Sequence, residues 1–172
     1  QVEHSGALEP DRELFSVIAR VLASEIRKKR LQEYMLRLSY QDQLTGLRNN
    51  TSYIRMLNQL LEHPVPVGVA FADLNGLKYL NDTYGHEYGD QALRHLAEVS
   101  MEDFAKDQLY RISGDEFVII CPEVQEEVFI RQAQLLKERL KQEEQGLAAF
   151  GYLWNDGTTA ADRLLHSAER LM

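Results

Sequence analysis

The sequence predicts an α/β fold of the α+β kind, a small sheet with flanking helices preceded by one long helix. Three observations predict it. Val67–Ala72 (VGVAFA) is a short, nearly continuous apolar run, the pattern of a central strand buried on both faces. Leu109–Ile112 and Glu116–Cys121 are strand-like runs joined by Ser113-Gly114-Asp115, a hairpin signal. Residues 11–40 contain neither Gly nor Pro and are rich in helix formers.

The elements follow in order. Residues 1–10 carry Gly6 and Pro10, show no periodicity and read as a loose lead-in. In the helix of residues 11–41, heptad a positions fall on Leu14, Val21, Lys28 and Met35, and d positions on Val17, Ser24, Leu31 and Leu38. All but Lys28 and Ser24 are apolar, so the helix is suited to pair with a copy of itself as a parallel coiled coil; lying on its own domain is the alternative. Residues 42–172 form the second region. Gly46 breaks the helix, and Asn49, Asn50 and Thr51 offer caps for the next, which runs to about Glu62 with Tyr53, Leu57 and Leu60 on one face. Pro64 and Pro66 end it.

After the strand at Val67–Ala72, a short helix spans about Gly76–Tyr84 and stops at Gly85. Asp90 opens the next helix, with Leu93, Leu96, Ala97 and Phe104 on its inner face. The hairpin follows. A long helix from about Glu126 to Glu144 carries Phe129, Ala133, Leu136 and Leu140 at helical spacing. Leu147–Trp154 is a strand, and Thr159–Met172 starts a last helix. The order β-α-α-β-β-α-β-α fits the ferredoxin-like, palm-type β-α-β-β-α-β plan with additions.

Composition narrows the function. The chain has 172 residues, 44% of them hydrophobic and 27% charged, which suits a globular domain with an appendage. Lys and Arg number 19 against 27 Asp and Glu, a net charge of −8. Such a balance disfavours nucleic acid as a partner, because backbone binding needs clustered cations. A small phosphorylated ligand stays open, given divalent cations and backbone donors. No apolar run approaches the ~20 residues of a membrane span, so no membrane contact is expected of this stretch. The chain begins at Gln1, not Met, and reads as a fragment. The single cysteine, Cys121, sits in an apolar run and reads as a buried hydrophobe.

Two carboxylates are placed to meet. Asp73 ends the central strand and Asp115 lies on the hairpin turn, so both project from one end of the sheet. With a backbone carbonyl and phosphate oxygens, such a pair makes a hard-cation site for Mg²⁺ or Mn²⁺. Asp at a strand end and Asp in a glycine turn are also ordinary caps and turn formers. The short helix after Asp73 points its N-terminus, near Asn75–Leu77, to the same place, where free N–H groups favour phosphate. Gly76 lets backbone approach a ligand. Asn81 and Asp90 offer an amide and a carboxylate to a base edge, and an Asp accepting from N1–H and N2–H selects guanine. The plainer roles are a polar residue at a helix C-terminus for Asn81 and an N-cap for Asp90.

The segments DQLTGLRNN (42–50), ADLNGLKYLNDTYGHEYGDQAL (72–93) and YRISGDEFVII (110–120) resemble, in order and spacing, the signature blocks of the GGDEF-domain diguanylate cyclases. The resemblance covers about residues 40–172. It implies that Asp73 and Asp115 are metal ligands, with the Leu74 carbonyl assisting, and that Asn81 and Asp90 bind guanine. Lys78 is implied near the phosphates and the amides of Gly76 and Leu77 on the terminal phosphates. It further implies that Glu116 helps place metal or proton, that Gly114 passes close to the nucleotide, and that Leu44 and Leu47 line the base pocket or pack beneath it. The implied reaction joins two GTP into cyclic di-GMP with loss of pyrophosphate, in a cytoplasmic signalling homodimer governed by an upstream sensor domain. A parent protein attached to a membrane is compatible with this.

Some residues depart from the family. Ser113 stands where Gly is usual, Asn75 where Asp is common, and Asn50 where Arg is usual. The family's last helix carries a phosphate-binding Lys a few residues beyond the Met172 position, so the catalytic region reads as truncated. The family's Arg-x-x-Asp product site corresponds to Phe104-Ala105-Lys106-Asp107, with Phe in place of the Arg that grips phosphate, and strong product inhibition there is not expected. The alternative is a catalytically silent domain that binds GTP or cyclic di-GMP and regulates a partner. The intact Asp73, Asp115 and Glu116 favour the enzyme.

Overall fold

A computed structural model describes residues 9–143, 146–158, 163, 166–167 and 170–171. The chain divides into two units, residues 1–39 and 40–172. The described part of the first is one helix, α1 (Glu9–Tyr40), which starts two residues before the expected position and includes Pro10. Proline is tolerated there because first-turn N–H groups have no partner within a helix. Leu14, Val17, Val21, Leu31, Met35 and Leu38, the apolar members of the heptad stripe, are all exposed.

The second unit is built on a four-stranded antiparallel sheet in the order β2-β3-β1-β4. Its elements are α2 (Asn50–Glu62), β1 (Val67–Leu74), α3 (Leu77–Tyr84), α4 (His86–Met101), a 3₁₀ turn at Lys106–Gln108, β2 (Leu109–Arg111), β3 (Glu116–Pro122), α5 (Glu126–Gln142) and β4 (Ala148–Asn155). This is the ferredoxin-like order.

β1 is central, and strand alternation sorts its side chains. Ala70, Ala72 and Leu74 join Leu93 and Leu96 of α4 and Phe129, Leu136 and Leu140 of α5 in the main core. Val67, Val69 and Phe71 face the other way, against Leu60, Tyr53 and Leu57 of α2. Burial on both faces is why the strand reads as a continuous apolar run. A Cβ on Gly68 would stand 2.2 Å from the Phe129 ring, so that ring requires glycine beneath it.

Several boundaries differ from expectation. α4 begins at His86, which puts Asp90 inside the helix instead of at its cap. The cause is Gly85: at φ 90° it ends α3, with its N–H on the Asn81 carbonyl, and starts α4 at once. Phe104 lies past the end of α4 yet is buried, its ring against Phe129. β1 continues through Asp73, which pairs with Glu116 within the ladder. The expected last helix, 159–172, falls mostly outside the described residues.

Candidate functional site at the acidic end of the sheet

The β1–β3 register fixes the acids. Asp73 sits opposite Glu116, and the Leu74 N–H donates to the Asp115 carbonyl at 3.0 Å. Three carboxylates therefore gather where β1 leaves the sheet. Partial burial and then the charges of Asp115 and Glu116 push the Asp73 carboxyl above its ordinary value of 3.8. Mutual repulsion of this kind is relieved by a cation, and an all-oxygen donor set suits a hard one. Among the described residues no three His, Cys, Asp or Glu side chains are arranged to hold a metal by themselves. The acids fit a divalent ion whose remaining ligands come from backbone or substrate.

The turn bearing Asp115 is braced on both sides. The Ile112 N–H donates to the Glu116 carbonyl at 3.0 Å, and the Ser113 hydroxyl donates to the Glu116 carboxylate. Ser113, where the family has Gly, thus ties down the second acid. Arg111 Nε and Nη2 donate to the Gly114 carbonyl at 3.1 and 2.7 Å. Its Nη1 reaches both Asp42 oxygens at 3.2 and 3.3 Å. Asp42 also accepts from the Thr45 N–H at 2.9 Å and the Thr45 hydroxyl at 2.7 Å. Burial alone raises the Asp42 carboxyl, but the Thr45 hydrogen bonds and the Arg111 charge outweigh it and hold the group below 3.8.

β1 passes into α3 through Asn75 and Gly76. The Asn75 N–H donates to the Leu147 carbonyl at 3.1 Å and its amide to the Gly146 carbonyl at 3.0 Å, tying this turn to the start of β4. Gly76 is left-handed at φ 68°, with nothing within 4 Å of where a Cβ would stand. No side chain caps α3, so its first amides are not taken by a cap. Leu77 is half-buried and Lys78 exposed at this end. Gly114 likewise has open space above it.

Asn81 and Asp90 come together through Gly89. A Cβ on Gly89 would stand 2.1 Å from Asn81 Oδ1, so the amide of Asn81 lies directly on the α4 backbone beside Asp90. Asp90 keeps only a long, half-exposed ion pair to Arg94, at 3.9 Å, and one so loose leaves its carboxylate available. Leu44 packs against the main core, which fully buries Leu47.

Sequence reasoning brought forward the acids, the glycine turns and the Asn–Asp pair. It missed Arg111, Asp42, Asn75 and Gly89. Only Asp42 left a local signal: Asp followed three residues later by Thr is the spacing of a side-chain-closed turn.

A ferredoxin-like sheet with an acidic hairpin turn beside an uncapped helix start defines the class, an α+β domain with flanking helices. The chain belongs to the family described as "Diguanylate cyclase, GGDEF domain", which it matches over residues 39–172. It is 32% identical over 151 residues to the probable diguanylate cyclase DgcJ of Escherichia coli, covering 83% of this chain and 30% of that protein. It is 30% identical over 141 residues to the cyclic di-GMP phosphodiesterase PdeR of the same species, covering 80% and 21%. Among solved structures, the coiled coil and GGDEF domain of DgcB from Caulobacter crescentus, in complex with c-di-GMP, superposes with a TM-score of 0.69 at 22% identity, covering 90% of this chain and 91% of that one. The S helix-GGDEF-EAL region of Vibrio cholerae LapD gives 0.72 at 25% identity, covering 86% and 36%. The chain spans about a fifth to a third of the length of these curated relatives. No described helix is long and apolar enough to cross a membrane.

Proposed function

We propose that the domain is a diguanylate cyclase that condenses two GTP into cyclic di-GMP. The observation that carries this is the convergence of Asp73, Asp115 and Glu116 at one sheet end, where their repulsion disfavours ionised Asp73 unless a cation is present. Asp73, Asp115 and the Leu74 carbonyl would hold Mg²⁺ or Mn²⁺, and such an ion would supply stabilisation of charge on the transferred phosphoryl group. The Gly76 and Leu77 amides and Lys78 bind the terminal phosphates. Asn81 and Asp90 read guanine, and Gly114 lets the turn approach the nucleotide. Glu116, held by Ser113, orients the turn and helps place metal or proton. The 3′-hydroxyl of one GTP attacks the α-phosphate of the other, a P–O bond forms and pyrophosphate leaves; the remaining 3′-hydroxyl then attacks the remaining α-phosphate, and loss of a second pyrophosphate closes the ring. The reaction needs two facing domains, and pairing of α1 through its exposed heptad stripe brings them together. An upstream sensor sets that pairing.

A silent regulatory module is the second reading. The relationship to PdeR, whose name gives a different activity, favours it. Incubation of the protein with GTP and Mg²⁺, with detection of cyclic di-GMP, separates the two. Asp73→Ala and Asp115→Ala should each remove product by at least ~10³-fold, the scale of metal-assisted charge stabilisation, with the fold intact. Unchanged turnover in either variant refutes the two-acid site. GTP binding without product in the parent protein favours the silent module.

A further inference from the structure

The turn between β2 and β3 is closed through its backbone. The Ile112 N–H donates to the Glu116 carbonyl and the Leu74 N–H to the Asp115 carbonyl, both at 3.0 Å, and Arg111 grips the Gly114 carbonyl. None of these bonds fixes a side chain within the turn. One further bond does: the Ser113 hydroxyl donates to Glu116 Oε2. The other oxygen of that carboxylate, Oε1, has no hydrogen-bond donor among the described residues. Ser113 is exposed, whereas Glu116 is half-buried. Among the described residues Glu123 is the only non-glycine with positive φ, so the backbone at Ser113 accepts a Cβ without strain. The glycine usual in the family is therefore not demanded by the backbone here, and the hydroxyl is free to take a role of its own.

We propose that Ser113 is a positioning residue for a divalent ion at the acidic end of the sheet, acting through the Glu116 carboxylate. This rests on the two-acid reading of the site. Glu116 stands opposite Asp73 in the β1–β3 ladder, and directly opposed residues have Cβ atoms ~4.5–5.5 Å apart. The Glu116 carboxylate therefore reaches the space beside Asp73 in only part of its rotamer range. A glutamate left untethered must lose its rotamer freedom when an ion binds, and that loss subtracts from affinity. The Ser113 hydroxyl removes the freedom beforehand: it occupies Oε2 and leaves Oε1 open. It also sets a donor among three carboxylates, which offsets part of their repulsion while no ion is bound. Glycine at this position does neither. Because the backbone bonds close the turn without the hydroxyl, its loss should be felt in ion binding and not in the fold.

The probe is Mn²⁺, titrated into the full chain saturated with α,β-methylene GTP, which cannot lose pyrophosphate. Water proton relaxation separates protein-bound ion from ion on free nucleotide. Ser113→Ala should weaken Mn²⁺ binding about 5-fold, Ser113→Gly at least as much, and Ser113→Thr should return the affinity to within about 2-fold of the parent. Glu116→Ala should lose at least as much as Ser113→Ala. The double variant Ser113→Ala, Glu116→Ala should lose no more than Glu116→Ala alone, because the hydroxyl acts through that carboxylate. The melting midpoint of Ser113→Ala should not move, as it would if the hydroxyl served only to hold the turn together. Asp73→Ala, which removes a proposed ligand, should abolish Mn²⁺ binding. Parent-like Mn²⁺ affinity in Ser113→Ala, no rescue by Ser113→Thr, or additive losses in the double variant overturns the role of Ser113 and leaves the two-acid site standing. Mn²⁺ binding that survives Asp73→Ala, or no saturable binding by the parent, overturns the two-acid reading and the role of Ser113 with it.

Discussion

Gly89→Ala isolates the contact on which the proposed guanine site depends. The new methyl would stand 2.1 Å from Asn81 Oδ1 and 2.9 Å from its Cγ. Optimal separation is ~3.5 Å, so the amide must move by roughly 1.4 Å. It is a side-chain terminus and can rotate away at small energetic cost. The Leu77 methyl, at 3.0 Å, yields by a few tenths of an ångström. Against this, alanine is favoured over glycine inside a helix by up to ~1 kcal/mol. The two effects nearly cancel, and the midpoint of thermal unfolding should stay within roughly 3 °C of the parent. Binding behaves differently. A displaced Asn81 loses its hydrogen bonds to the base at ~0.5–1.5 kcal/mol each, and two such bonds correspond to a roughly 5- to 140-fold loss of GTP affinity. Titration of a fluorescent GTP analogue, paired with a melting curve, measures both quantities. Asn81→Ala should produce the same loss, and Gly89→Ala should add almost nothing in that background, because the two changes remove one interaction. Parent-like GTP binding by Gly89→Ala refutes the reasoning. So does a further 10-fold loss in the double variant.

Two other predictions concern the acidic turn. Asp73→Asn should raise the melting midpoint at pH 7 while abolishing Mg²⁺-dependent turnover. Because the folded-state pKa of Asp73 lies above 3.8, ionisation destabilises the fold as pH rises through that window, and the asparagine variant should lose that downward slope in melts across pH 3–7. Arg111→Ala should destabilise the domain by ~2–4 kcal/mol, since it strips a mostly buried Asp42 of its charged partner. Asp42 has a lowered pKa, so its contribution is present above 3.8 and lost as pH falls through the folded value; the variant should show a weaker acid-side loss of stability in urea melts. Arg111→Lys should recover part of the stability but little turnover, because a point charge does not hold both Asp42 and the Gly114 carbonyl.

What was legible in the sequence, and what was not, follows from how far each interaction reaches along the chain. β1 was legible because α4 and α5 cover one of its faces and α2 the other, which forces an unbroken apolar run. The faces of α2, α4 and α5 were legible because core contacts repeat at helical spacing. Phe104 was assigned correctly to the core but wrongly to α4: its spacing from Leu96 and Ala97 fits a helix, whereas the helix ends at Met101 and the chain returns to the core through the next turn. The α4 start was misplaced for a related reason. Asp90 is a good cap in isolation, but Gly85 supplies the break earlier.

The supporting parts of the candidate site were hidden because they act through space. Arg111 and Asp42 are 69 residues apart, and Asn75 and Gly146 are 71 apart, with nothing in either local pattern that names the partner. Gly89 carries no local signal of a role, which appears only when the Asn81 amide is seen resting on it. Asn75 shows most directly why the two kinds of information differ. As a departure from the family's usual Asp it reads as a lost carboxylate. In the fold its amide N–H donates to the Gly146 carbonyl, a bond an ionised Asp does not make. The same substitution therefore subtracts a charge near the three acids and adds a clamp between β1 and β4.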